Sequence, residues 1–188
     1  LIKPLGEGSF GVVFLSKEKT TNKLFALKVM AVQADNENEM NIEEKMNYLK
    51  KKNNISATFQ HINIIKIYKS IVLPEKSMMV VKMELAEKSL YDVIKNEISK
   101  DLAFDYILQI CEGLRYLHEE LYVIHRDLKP ENILLIGNCI KICDFDTAKL
   151  KKNASGKTTV SFFVGTPSYM APETLNLVGQ NDEKIDIW

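Results

Sequence analysis

The chain has 188 residues, of which 46% are hydrophobic and 27% are charged, as in globular proteins rather than disordered or fibrous ones. Its 25 basic and 25 acidic residues balance. This balance disfavours nucleic acid or a membrane surface as the partner, because both select a basic excess. No apolar run reaches the ~18 residues that span a bilayer, and three cysteines without a CxxC pair fit reduced thiols. We therefore expect a soluble intracellular protein, cytoplasmic or nuclear, without a membrane-spanning segment.

The N-terminal part of the chain is predicted to be rich in strands. Two extended segments flank a glycine-rich turn in LIKPLGEGSFGVVFLSKE, and KLFALKVMAV predicts a third strand. A helical pattern follows from Asp35 to about Lys52, with Ile42, Met46 and Leu49 on one face. The polar segment NNISATFQ after it predicts a loop. Strands return in NIIKIYKSIVL and SMMVVKMEL.

The pattern becomes helical after Glu87. SLYDVIK predicts a short helix, and an apolar stripe predicts a longer one from about Lys100 to Leu121. Short strands are predicted at NILLI and CIKICDF. We divide the chain into a β-rich part, residues 1–83, a hinge, residues 84–88, and a mainly helical part, residues 89–188.

Three glycines stand in the G-x-G-x-x-G spacing, at Gly6, Gly8 and Gly11. Glycines let backbone N–H groups approach phosphate oxygens, because no side chain intervenes. The spacing is a weak signal alone, since it also opens dinucleotide-binding folds, where it leads into a helix. Here it leads into the strand VVFLS, which favours a flap over nucleotide phosphates.

The most specific motif is VIHRDLKPENILL at residues 123–135. Asp127 is suited to accept a hydroxyl proton, Lys129 to steady a phosphoryl group, and Asn132 to give an amide oxygen to a metal ion. Each of these residues alone is a common loop or core residue. With the octapeptide HRDLKPEN intact, however, the chain resembles the eukaryotic protein kinase family, and its serine/threonine branch in particular.

The resemblance covers almost the whole chain and implies an α+β, bilobal fold. In that fold a small β-rich N-lobe with one helix precedes a mainly helical C-lobe. The C-lobe is expected to be incomplete here, because the chain ends near Asp186 and Trp188, where the family's central helix begins. The isolated chain is then expected to expose apolar surface and to be unstable or inactive.

The implied activity is transfer of the γ-phosphoryl group of ATP, with Mg²⁺, to serine and threonine hydroxyls of protein substrates. Asp127, Lys129, Lys28 and Glu43 are the implied catalytic residues, and Asn132 and Asp144 the implied metal ligands. Thr166 in GTPSYMAPE is expected beside Asp127 and Lys129. The implied nucleotide-binding residues are Leu5, Gly6, Glu7, Gly8, Ser9, Phe10, Gly11, Val13, Ala26, Lys28, Met83, Glu84, Ala86 and Leu134.

Lys28 lies in the apolar segment FALKV, where an unpaired lysine is costly to bury. By itself the pattern also fits a lysine that reaches to the surface. The resemblance implies that Lys28 binds the α and β phosphates and pairs with an acid of the next helix. Glu43 is our choice because it lies nearer the edge of the apolar face than Glu44, while Glu39 follows Lys28 closely.

The segment KICDFDTAK carries two aspartates around Phe145. Asp144 is similar in position to the acid of the family's D-F-G triplet, and Phe145 is expected to pack against His125 and the helix of the paired glutamate. Asp146 replaces the triplet's glycine. We interpret Asp146 as a conformational substitute, because aspartate tolerates a left-handed φ better than most residues.

Two alternatives to an active protein kinase remain open. A pseudokinase, an ATP-binding regulatory or scaffolding module, is suggested by Asp146. A small-molecule kinase of related fold is disfavoured by HRDLKPEN and GTPSYMAPE. Activation by phosphorylation is expected because Arg126 precedes Asp127, but the usual acceptor position holds Phe162. Ser161, Thr158 and Thr159 are the alternative acceptors.

Overall fold

The computed structural model describes residues 1–8, 11–32, 41–151, 165–175 and 182–188. Ser9 and Phe10 lie outside these ranges, as do the candidate phosphorylation sites Ser161, Thr158 and Thr159. The chain divides into two compact units. The first contains Leu1–Gln60 and Ile65–Ala86, and the second contains His61–Ile64 and Glu87–Trp188.

A five-stranded antiparallel sheet forms most of the first unit. Its strand order is β1-β2-β3-β5-β4, so that β3 lies in the middle and holds Lys28 opposite Val13 of β2 and Val81 of β5. Gly11 permits the close approach of β2 to β3, since a Cβ there would lie 2.2 Å from the carbonyl oxygen of Val29. The strands are β1 Lys3–Gly8, β2 Gly11–Lys17, β3 Leu24–Ala31, β4 Ile67–Leu73 and β5 Met78–Met83.

Helix α1 spans Ile42–Ser56 and begins with a capping box. The Asn41 side chain accepts a hydrogen bond from Glu44 N, and the Glu44 carboxylate accepts one from Asn41 N. The predicted loop after Lys52 is wrong in part, because the helix continues to Ser56. Asn53 is buried there, and its amide donates to the carbonyl of Leu49.

The core of the first unit lies between α1 and the sheet. Met46 of α1 packs with buried side chains of three strands, whereas Ile42, predicted to share its face, is 40% exposed. The predicted apolar face of α1 is therefore confirmed at Met46 and wrong at Ile42. The other buried members of this core are Met30, Val32, Ile67, Met79 and Val81.

Helices and turns make up much of the second unit. The main helix, α3, spans Lys100–Arg115 and continues as a π-helical turn over Tyr116–Glu120, close to the predicted end at Leu121. The two short helices are α2, Leu90–Ile94, and α4, Pro172–Leu175. Turns of 3-10 helix occupy Pro130–Asn132, Phe145–Thr147, Pro167–Tyr169 and Glu183–Asp186, and in the first unit Pro74–Lys76.

Two small antiparallel sheets complete the second unit. One has the order β6-β8-β9 and the other pairs β10 with β7. The predicted strands NILLI and CIKICDF correspond to β8 and β9. The strands are β6 Lys88–Ser89, β7 Val123–Ile124, β8 Ile133–Ile136, β9 Cys139–Ile142 and β10 Lys149–Leu150.

These elements confirm the predicted α+β fold class, with an antiparallel β-rich unit followed by a unit of helices and short strands. Several large apolar side chains of the second unit are exposed. Phe104, Ile107 and Leu108 of α3 are 62%, 54% and 49% exposed, and Trp188 is 75% exposed. Among the described residues, every helix is too short or too polar to cross a lipid bilayer.

Candidate active site

The Asp127 carboxylate is held by three donors of the second unit. Its Oδ1 accepts a hydrogen bond of 2.8 Å from the Thr166 hydroxyl. Its Oδ2 forms an ion pair with Lys129 Nζ at 2.9 Å and accepts a hydrogen bond from Asn132 Nδ2 at 3.0 Å. Asn132 Nδ2 also donates to the carbonyl oxygen of Asp127 at 2.8 Å, closing the loop between the two residues. The buried carboxylate is thereby fixed in one orientation.

Lys129 and Thr166 also contact each other. Lys129 Nζ donates to Thr166 Oγ1 at 2.6 Å, so the hydroxyl accepts from the lysine and donates to Asp127. The partly buried ammonium lies against a carboxylate of opposite charge, which offsets part of the cost of burying Asp127. The structure thus brings Thr166 to Asp127 and Lys129, as the resemblance implied, across 37 residues of sequence.

His125 connects the segment of Asp127 to the segment of Asp144. Its Nδ1 accepts from Asp127 N at 3.3 Å, and its Nε2 lies 2.8 Å from the carbonyl oxygen of Cys143. Nδ1 accepts a hydrogen bond and Nε2 faces a carbonyl oxygen. Both contacts fit the tautomer that carries its hydrogen on Nε2. The ring is fully buried and packs edge-on against Phe145, 5.3 Å between centroids, which confirms that predicted contact.

The Asp186 carboxylate accepts hydrogen bonds from the backbone of the segment that leads to Asp127. Its Oδ1 accepts from Arg126 N and its Oδ2 from His125 N, each at 2.7 Å. His118 Nε2 also lies 2.7 Å from Oδ2. Arg126 has a φ of 72°, in the left-handed region, and consecutive N–H groups in such a bend form a concave anion-binding surface. A buried carboxylate therefore fixes the backbone immediately before Asp127.

Asn132 and Asp144 stand at the same end of the β8–β9 hairpin. Ile133 pairs with Ile142 in the ladder, and one step further Cys143 N donates to the carbonyl of Asn132 at 2.9 Å. Asp144 follows Cys143 directly. An amide oxygen and a carboxylate so located are the hard oxygen ligands that Mg²⁺ prefers. In the described part of the chain, no three His, Cys, Asp or Glu side chains form a metal cluster.

The left-handed residue of this turn is Asp144, with a φ of 65°, and not Asp146. Asp146 lies in the 3-10 turn Phe145–Thr147, and its N–H donates to Asp144 Oδ1 at 3.4 Å. The interpretation of Asp146 as the tolerant left-handed residue is therefore wrong for this conformation. A 3-10 turn accepts aspartate without strain, so glycine is not required at position 146.

Several candidate nucleotide-binding residues lie in the first unit and differ in their burial and contacts. Lys28 is buried on β3, at 9% exposure. Gly6 and Gly8 of β1 face open space where a Cβ would stand. Glu84 is held to Lys66, since its N–H donates to the carbonyl of Lys66 and its carboxylate accepts from Lys66 N.

Glu43 lies exposed in the first turn of α1. Its negative charge is favourable there, near the positive end of the helix dipole. The pairing of Glu43 with Lys28 stays a prediction, since the competing Glu39 is outside the described residues.

Comparison with known proteins agrees with the resemblance that the motif HRDLKPEN carries. The sequence pattern of the protein kinase domain matches residues 1–188, the whole chain. The chain belongs to the protein kinase family. Within this family it combines the motif HRDLKPEN with Asp146 in place of the glycine of D-F-G.

Individual kinases are similar over nearly all of the chain. Mitogen-activated protein kinase 13 of Arabidopsis thaliana is 33% identical, covering 100% of this chain and 50% of its own length. The carbon catabolite-derepressing protein kinase of Candida glabrata is 33% identical, with 100% and 29% covered. Myosin light chain kinase A of Dictyostelium discoideum is 35% identical, with 98% and 60% covered. The chain thus spans less than two thirds of each of these kinases.

Sequence reasoning missed two sets of polar contacts in the second unit. The role of Asp186 as the acceptor beneath the loop was not foreseen, because its partners lie 60 and 61 residues earlier. The polar residues Asn63 and Gln109, which contact β9, were also missed. For Gln109 a signal existed, namely a polar side chain bordering the apolar stripe of a core-facing helix.

Proposed function

We propose that this chain transfers the γ-phosphoryl group of ATP to serine and threonine hydroxyls of protein substrates. The observation that carries the proposal is the buried Asp127 carboxylate, which accepts hydrogen bonds from Thr166 and Asn132 and forms an ion pair with Lys129. Such a fixed carboxylate is suited to orient a hydroxyl and receive its proton. The restriction to serine and threonine is supported by Lys129 and Thr166, which the resemblance associates with that branch.

Asp127 Oδ1 is the oxygen best suited to the substrate hydroxyl. An ionised carboxyl group has about four acceptor positions. Within the described residues, Oδ1 accepts one hydrogen bond, from Thr166, whereas Oδ2 accepts one from Asn132 and also forms an ion pair with Lys129. A hydroxyl that donates to Oδ1 would be oriented toward the γ-phosphorus of ATP; its proton moves to the carboxylate as the new O–P bond forms, while the bond from that phosphorus to the bridging oxygen breaks and ADP leaves.

Lys129 contributes a positive charge beside the reacting groups. Its Nζ lies between Asp127 and Thr166, so its position is fixed before the substrate binds. A fixed ammonium stabilises negative charge on the transferred phosphoryl group without reorganising during the reaction. Thr166 holds both Asp127 and Lys129, and therefore acts through them.

The residues present fit ATP and Mg²⁺. When bound, these supply the phosphoryl group and neutralise its charge. Asn132 and Asp144 would hold Mg²⁺, and the Nδ2 contacts of Asn132 with Asp127 leave its Oδ1 as the coordinating atom. Lys28 and the open backbone of Gly6 and Gly8 would bind phosphates. Leu5, Glu7, Ser9, Phe10, Gly11, Val13, Ala26, Met83, Glu84, Ala86 and Leu134 complete the proposed nucleotide site.

A pseudokinase is the weaker alternative. It was suggested by Asp146, and Asp146 occupies a 3-10 turn that does not require glycine. Thr166, Lys129 and Asn132 hold Asp127 in an orientation that fits the transfer of a proton from a hydroxyl. The least supported residue of the proposal is Glu43, an exposed glutamate that is proposed to pair with Lys28.

The test compares phosphate transfer from labelled ATP by the protein and by its Asp127→Asn variant, with Mg²⁺ and a mixed protein substrate. Asparagine keeps an oxygen for Thr166 but cannot take the hydroxyl proton. We expect transfer to serine and threonine, and a loss of about 10²-fold to 10⁴-fold in the variant. ATP binding by both proteins serves as the control for folding. Equal transfer by both, or none by ATP-bound protein, would contradict the proposal.

A further inference from the structure

Strand β9 is an edge strand whose outer side is bonded to two side chains and to the backbone of residues 63 and 64. The sheet order β6-β8-β9 places no named strand on that side, where Ile142 forms a single parallel bridge with Ile64. On that side Ile140 N donates to Gln109 Oε1 at 2.8 Å, and the Ile140 carbonyl accepts from Asn63 Nδ2 at 3.2 Å. Ile142 N donates to the carbonyl of Asn63 at 2.8 Å. Two residues thus occupy the place of a fourth strand.

Gln109 of α3 uses all the hydrogen-bonding capacity of its amide. Its Oε1 accepts from Ile140 N and from Asn63 Nδ2, at 2.8 and 3.1 Å. Its Nε2 donates to Asp105 Oδ2 at 2.8 Å and to the carbonyl of Asn138 at 3.0 Å. Because both oxygen and nitrogen are engaged, the orientation of this amide is determined. We call Asn63 and Gln109 together the amide clamp.

Close packing holds β9 against α3 beside the amide clamp. Gly113 lies one helical turn after Gln109, and a Cβ there would approach Ile142 Cδ1 to 2.8 Å and the Asn63 carbonyl oxygen to 3.2 Å. Ile140 and Ile142 are both fully buried. Strand β9 therefore has little freedom to shift along the helix or away from it.

We propose that the amide clamp positions Asp144 for metal binding, and that Gln109 is a positioning residue of the phosphoryl-transfer site. Ile142 is bonded to Asn63, Cys143 N is bonded to Asn132, and Asp144 is the next residue. A displacement of β9 therefore moves Asp144 relative to Asn132. This inference rests on the proposed function, because it takes Asp144 as a ligand of Mg²⁺.

The experiment measures ADP binding with and without Mg²⁺ in the purified protein and in three variants, Gln109→Glu, Asp105→Asn and the two combined. Gln109→Glu replaces the donor facing Asp105 by an oxygen, so two carboxylates oppose each other. We expect the affinity gain from Mg²⁺ to fall about tenfold, as for other groups that orient metal ligands. Affinity without Mg²⁺ stays near that of the original protein.

The combined variant is the decisive one. An asparagine at position 105 donates a hydrogen bond to the carboxylate introduced at position 109. This restores the hydrogen bond between positions 105 and 109, with donor and acceptor exchanged. We expect recovery of most of the lost Mg²⁺ effect. Glu112→Gln, an exposed change on the same helix, is the matched control and leaves the Mg²⁺ effect unchanged. An unchanged Mg²⁺ effect in Gln109→Glu, or a loss that the second substitution does not recover, overturns the inference.

Asp144→Asn separates this inference from the proposed function. If Asp144→Asn removes the Mg²⁺ effect while Gln109→Glu does not, only the role of the amide clamp is wrong. If Asp144→Asn also leaves the Mg²⁺ effect intact, Asp144 is not a metal ligand, and both proposals fail. Should Gln109→Glu not fold, Gln109→Met, nearly equal in volume and without hydrogen bonds, takes its place with the same expected loss.

Discussion

At the scale of single residues, charge and backbone conformation can be changed independently in the turn from Asp144 to Thr147. Asp144 is the residue in the left-handed region, at a φ of 65°. Asparagine is among the few residues that tolerate this region. Asp144→Asn therefore removes the charge and leaves the turn, whereas alanine at the same position would disturb both.

We predict that Asp146→Gly keeps or raises phosphoryl transfer and that Asp144→Asn abolishes it. Asp146 stands in a 3-10 turn and is not strained, so glycine there changes only chain freedom, while Asp144 carries the proposed metal-binding charge. The measurement is the transfer rate at saturating ATP for both variants. An equal loss in the two would show that Asp146 has a chemical role, and would reject the interpretation of a substitute for glycine.

The residues that sequence predicted best are those within one continuous motif. HRDLKPEN contains Asp127, Lys129 and Asn132, and these three do meet in the structure. Asp186 was not predicted as their support, because no local pattern announces a hydrogen bond across 61 residues. The left-handed residue was assigned to Asp146 instead of Asp144, since a family pattern gives residue types and not dihedral angles.

At the scale of elements, α1 illustrates how side chains mark the beginning of a helix. The helical pattern in sequence extends from Asp35 to about Lys52, of which residues 35–40 lie outside the described residues, and the described helix is Ile42–Ser56. The capping box of Asn41 and Glu44 defines its beginning. Its last turn contains the polar pair Asn53 and Ser56, which sequence reading assigned to a loop, because buried polar residues are hard to distinguish from exposed ones without tertiary contacts.

We predict that Asn41→Ala destabilises the protein by about 1 kcal/mol, the usual effect of removing an N-cap. The lost contact is the 2.9 Å hydrogen bond from Glu44 N to Asn41 Oδ1. The free energy of unfolding in urea is the measurement. Asn47→Ala is the matched control, because Asn47 is exposed within the same helix, where alanine has a higher helix propensity. A similar loss in both variants would show that the cap contributes nothing particular.

At the scale of the whole molecule, the boundary between the two units does not follow sequence order. The apolar run NIIKIYKSIVL was predicted as one strand, but β4 begins at Ile67. Residues 61–64, just before it, belong to the second unit although the chain on both sides belongs to the first. Periodicity could not foresee this, because it detects apolar residues without indicating which core they enter.

His61 is the titratable group of this crossing segment. Its ring stacks on Tyr116 at 4.9 Å, and its Nδ1 accepts from Asn63 N at 3.1 Å. Burial lowers the pKa of His61 below its usual 6.5; Glu120 and Glu112 oppose this change, while Arg115 and Lys141 reinforce it. Protonation of Nδ1 would remove the acceptor of Asn63 N, a residue of the amide clamp.

We predict that the protein loses stability as the pH falls below about 6.5, the pKa of a histidine in an unfolded chain. The unfolded state binds a proton at His61 more readily than the folded state does. The stabilisation is therefore complete above that pH and is lost as the pH falls through the lower pKa of the folded state. The measurement compares Tm at pH 7.5 and pH 5.5 for the protein and for His61→Phe, which keeps the stacking on Tyr116. We expect a smaller difference in the variant. Because His118 and His125 are present in both proteins, equal differences would assign the pH dependence to other groups.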